Sequence, residues 1–132
     1  MRKLFCYLVL ICLSISCSRD IPFDQEKWNE RVDFFYTYRK HMVNDLVNNH
    51  LKLGMELNEI EYLLGKPDGI DSISNEKNEI IYGILEDYGW DIDPVETQDL
   101  ILTFSTDSSL CRVKLKTWKS HKGTTIKDLL TQ

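Results

Sequence analysis

Between Leu53 and Lys116 the spacing of apolar residues changes from three-and-four to two, and this change constrains the fold more than any other feature. It predicts helices first and an antiparallel sheet after them. Leu57, Ile60 and Leu64 share one side of a helix. Farther on, Cys111, Val113 and Leu115 alternate with Arg112, Lys114 and Lys116, the pattern of a strand with one packed and one wet face.

The helical part carries its own punctuation. Gly54 can take the positive φ that ends one helix and redirects the chain. A helix starting at Glu56 puts Met55 and Ile60 at the two positions of a hydrophobic staple, with Glu59 in the first turn where a carboxylate meets the positive helix end. Gly65 and Pro67 close it. Upstream, Trp28, Val32, Phe35 and Tyr36 form one helically spaced apolar group, and Met42, Val43, Leu46 and Val47 form another. We expect a helix over Tyr38 to Asn49 and a further one before it, as one long element or two pieces, with Asp33 as an internal cap. Arg39, Lys40, Asn44 and Asp45 then fall on the wet side.

Ile80 to Leu85 and Leu100 to Phe104 read as strands, and Ser105 to Ser109 as the turn into a third, Cys111 to Lys116. Thr125 before Ile126, Leu129 and Leu130 reads as a capped terminal helix. The expected architecture is α+β in two layers, a helical hairpin on one face of a three-stranded antiparallel meander (αα-βββ).

The N-terminus reads as a leader. Arg2 and Lys3 precede the apolar run Leu4 to Leu13, which spans only ~15 Å as a helix and suits a signal peptide better than a membrane crossing. Ser14-Ile15-Ser16-Cys17 resembles the bacterial lipoprotein cleavage box, with Ser14 where leucine is usual. On this reading residues 1–16 are removed, Cys17 carries fatty acid such as palmitate, and residues 17–24 are a tether to a domain over 25–132. The alternative is an ordinary secretory signal with incidental cysteines.

The formal net charge is −5 and grows more negative once Arg2 and Lys3 leave, which disfavours nucleic acid as a partner. Cys6 and Cys12 lie in the leader, so only Cys111 remains in the folded part, and no disulfide framework forms. His41, His50 and His121 are scattered without ligand spacing. Asp91 and Asp93 beside Glu96 lack the glycine and terminal glutamate of a calcium loop. No phosphate loop or nucleophile elbow occurs. We therefore expect no catalytic residues, no metal and no cofactor.

Two segments offer binding surfaces. Glu86 to Gln98 is long for a strand connection and sets Trp90 among Asp91, Asp93 and other acids; either Trp90 contacts a basic partner, with acids steering approach, or it folds back to close the core. Arg112, Lys114 and Lys116 form a cationic row that either faces anionic lipid headgroups or an acidic protein, or is simply solvated.

Leu53-Gly54-Met55, Ile60 and Leu63-Leu64-Gly65-Lys66-Pro67-Asp68, followed by an aromatic-bearing strand and Leu100 to Phe104, resemble the BamE (SmpA/OmlA) lipoprotein family and a wider group of small BLIP-like envelope domains. Glu56 stands where that family normally has Thr or Ser. The resemblance covers about Leu53 to Trp118. It implies a BamE-like domain over 25–132 and a non-catalytic lipoprotein of the bacterial envelope. It further implies an outer-membrane location facing the periplasm if the cell has two membranes, and an accessory role in outer-membrane β-barrel assembly. The alternative it implies is an inhibitor or ligand-binding module with another envelope target.

Overall fold

Local capping begins the fold. Asp24 accepts the Lys27 N–H at 2.9 Å and opens α1 (Gln25–Asn29). A short hairpin follows, β1 (Arg31–Val32) and β2 (Phe35–Tyr36), with Arg31 opposite Tyr36 and Val32 opposite Phe35. α2 (Arg39–Asp45) continues into a wider π-turn at Leu46–His50, and α3 covers Leu57–Leu64. The computed structural model describes residues 19–74 and 77–132; Cys17 and the leader lie outside the described residues.

The rest is a five-stranded antiparallel sheet in the order β3 (Gly69–Ser74), β4 (Lys77–Asp87), β5 (Glu96–Phe104), β6 (Leu110–Lys119) and β7 (Gly123–Thr131). Trp28, Met42, Leu46, Ile60 and Leu64 from the helices bury against Ile80, Tyr82, Ile84, Leu100, Leu102 and Val113 on one sheet face. Burying such side chains contributes ~1.5–3 kcal/mol each, so this interface is the main source of stability.

The punctuation of α3 is as the residues imply. Gly54 has φ 91°, Glu59 accepts the Glu56 N–H at 2.8 Å, and Gly65 with φ 80° ends the helix.

The expected helical hairpin on a three-stranded meander is overturned by a molecule that is mostly β. First, Val32, Phe35 and Tyr36 are not on a helix: Asp33, at φ 58°, is the first residue of the β1–β2 turn rather than a cap. Second, Gly69–Ser74 is an edge strand whose polar residues carried no apolar alternation. Third, the expected terminal helix at Thr125 is β7. There the register slips between Val113 and Lys114, so that Leu130 faces Val113, Asp128 faces Lys114 and Leu129 is the extra residue. That bulge breaks the period of two and makes Ile126, Leu129 and Leu130 mimic helical spacing.

Candidate functional site

Two features stand at the end of the sheet where β4 passes to β5. The connecting loop is held at its base by backbone bonds: Val95 N–H donates to Asp87 at 2.7 Å, Asp91 N–H to Tyr88 at 2.8 Å, and Ser120 N–H to Val95 at 3.0 Å. Gly89, at φ 55°, donates to the Asp87 carboxylate at 2.8 Å. From this base Trp90 projects fully into solvent and Ile92 is 94% exposed. Trp90 therefore does not close the core, and Asp91 and Asp93 flank it in the open. The ring of Tyr88 meets Phe35 edge-on at 5.7 Å, joining the loop to the β1–β2 hairpin.

Beneath the hairpin lies a cluster centred on Arg39. Although its helical position suggested the wet side, Arg39 is completely buried. Its guanidinium lies 3.2 Å from the ring centre of Tyr36 and 4.7 Å from that of Trp28. It donates to the carbonyls of Trp28 and Gly83, both at 2.9 Å, and to Asp68 at 2.6 Å. Asp68 also accepts from the Tyr36 hydroxyl at 2.5 Å, from Arg31 at 3.1 Å and from the Gly83 N–H at 3.0 Å. Burial pushes the Asp68 carboxyl up, but these donors outweigh it and hold the group below the usual carboxylate range. Burial lowers Arg39 from its ordinary value. The cluster clamps the hairpin to the start of β3 and to the bulge near Gly83.

Between the hairpin and the outer sheet face this clamp leaves a groove of about 420 Å³. Phe34 and Phe35 form its wall; Gly69, Ile81 and Gly83 lie at its floor, and Glu86 and Asp99 lie along it. Partial burial pushes the Asp99 carboxyl up, with Lys116 opposing and Asp68 adding to the rise.

The cationic row is largely engaged. Lys114 reaches Glu79 at 2.8 Å, and Glu79 also accepts the Thr103 hydroxyl at 3.0 Å. Arg112 lies 3.7 Å from Asp128, and Lys116 stands opposite Asp99 in the register. The row thus sits in an acidic surround rather than presenting three free charges. Sequence patterns gave no sign of Arg39 or Asp99 as site residues, and Asp68 figured only at the end of the Leu63 to Asp68 run, because the carboxylate that pairs with Arg39 is 29 residues distant and Asp99 meets Lys116 across the sheet.

Among the described residues no group of three or more His, Cys, Asp or Glu side chains is placed to hold a metal ion, and no helix is long and apolar enough to cross a membrane. No known protein family, curated protein or solved structure matches the chain.

Proposed function

We propose that this chain is a non-catalytic interaction module, tethered at the bacterial envelope by lipid on Cys17, that docks a basic surface of an envelope protein through the Trp90 loop. The observation that carries the reading is the full exposure of Trp90 beside exposed Ile92, on a loop whose base is hydrogen-bonded into the sheet. Single exposed apolar residues are ordinary, but a tryptophan and an isoleucine two positions apart on an ordered tip cost solvation until something covers them. Asp87, Asp91 and Asp93 around them favour a positively charged partner, attracting it over about a Debye length while the apolar residues supply the buried contact. A tether raises local concentration, so a modest interface suffices. The narrower role in β-barrel assembly rests on the resemblance of the Leu53 to Trp118 region and not on this loop.

A photo-crosslinking residue at position 92 in intact cells tests the reading. We expect one predominant envelope protein to be captured, and Trp90→Ala to reduce capture in line with a loss of ~2 kcal/mol or more, the range of a central aromatic anchor. Capture that is absent, or unchanged in Trp90→Ala, would refute it.

A further inference from the structure

The groove beside the Trp90 loop has the features of a receptor for one positively charged side chain. Its wall is aromatic, from Phe34, which is 86% exposed, and Phe35. Its lining includes half-buried Asp99 and exposed Glu86, neither of which has an ion-pair partner within 4.0 Å among the described residues. The groove's own cation, Arg31, is already committed to Asp68 at 3.1 Å and to the Tyr36 hydroxyl. Lys116 stands opposite Asp99 in the β5–β6 register and offsets it in part without an ion pair within 4.0 Å, so the groove lining carries the single cation Arg31 against the carboxylates Asp68, Glu86 and Asp99 inside a partly enclosed, aromatic-walled space.

The glycine at the floor supports the same conclusion. Gly69 has no left-handed φ, and a Cβ built there meets only Ile81 atoms, at 3.6 and 3.7 Å, which is ordinary contact. Its backbone conformation is open to any residue, and glycine weakens a strand. What the glycine does is leave the floor empty. Gly83 is different, since its peptide group is used by Arg39 and Asp68.

We infer that this groove receives a lysine or arginine side chain of the protein partner, with the cation against Asp99 and Glu86 and the aliphatic stem along Phe34 and Phe35. The inference rests on the docking reading, which brings a basic surface to the adjoining loop; Phe35 against Tyr88 makes loop and groove one continuous surface. Charge complementarity selects this occupant over an acidic or neutral one, and an aromatic face adds cation–π attraction. Partial burial already disfavours the ionised form of Asp99, and an arriving cation would relieve that cost.

The test uses the full-length chain in detergent micelles, with n-butylammonium and n-butylguanidinium as probes, n-butanol as the neutral control, and ionic strength held constant. Saturable movement of the amide resonances of Gly69, Gly83 and Thr97 is expected with either cation and not with n-butanol. Asp99→Asn should weaken cation binding at least ~5-fold, corresponding to ~1 kcal/mol, while leaving the melting temperature equal or higher. Gly69→Leu should abolish binding by filling the floor. Equal response to n-butanol, no response to the cations, or an unchanged affinity in Asp99→Asn would overturn the inference, and the asparagine variant decides the matter if the leucine variant does not fold. Failure here with Trp90-dependent crosslinking intact removes the groove alone. Cation binding here with crosslinking indifferent to Trp90→Ala removes the docking reading instead.

Discussion

Arg39 shows how a single residue can join three elements. A buried guanidinium is strongly destabilising unless paired, and here two backbone carbonyls, one carboxylate and two close aromatic faces surround it. Asp68→Asn would leave that charge without its counterion, and we expect a loss of about 3 kcal/mol at neutral pH, measured as a lower urea midpoint. The pH dependence follows from the direction of the Asp68 shift. Its folded value lies below that of the unfolded chain, near ~3.9 for aspartate, so its contribution is fully present above that value and is lost as pH falls through the folded one. The gap between wild type and Asp68→Asn should therefore narrow on acidification. A constant gap down to low pH would show that the carboxylate charge is not what Arg39 requires. None of this was visible in the chain as written: the helical spacing around Arg39 is that of a solvated position, and Asp68 is merely the residue after Lys66-Pro67.

At the scale of elements, the α3 termini matter because they set how α1 meets α3. A Cβ at Gly65 would lie 2.9 Å from Asn29 Oδ1, and the Asn29 amide is itself tied to the Gln25 carbonyl at 2.9 Å. Gly54 also has positive φ but nothing within 4 Å of its Cβ position. Both alanine variants meet positive-φ strain of ~1–3 kcal/mol; Gly65, at ψ −172°, lies in a region essentially confined to glycine, and only Gly65→Ala must also displace Asn29. We expect its thermal midpoint to fall further than that of Gly54→Ala; equal shifts would mean that the α1–α3 contact yields freely. α3 was legible because each of its signals acts within about four residues. β3 and β7 were not, since edge strands bury little, so their apolar alternation is weak, and a bulge in the β6–β7 pairing scrambled what remained.

For the whole molecule, the argument is one of placement. Helices cover one face of the sheet, while the hairpin, groove and Trp90 loop gather at the end where β4 turns into β5. If Cys17 carries the anchor, Cys17→Ser should move the protein from the membrane pellet to the soluble fraction and abolish incorporation of a fatty-acid probe. Retention in the pellet without label would point to attachment by other means. Multiple acyl chains would hold the domain where a single chain gives only marginal binding.

The amino-acid order was sufficient for the α2 and α3 positions and for the three central strands, because periodicity and capping depend on neighbours along the chain. Burial of Arg39, exposure of Trp90, the two outer strands of the sheet and the opening above Gly69 arose only once distant segments met. Those outcomes rest on pairings such as Arg39 with Asp68 and on a two-residue hairpin turn, and the energies that select them come from desolvation and cross-strand register, which no short window of sequence contains.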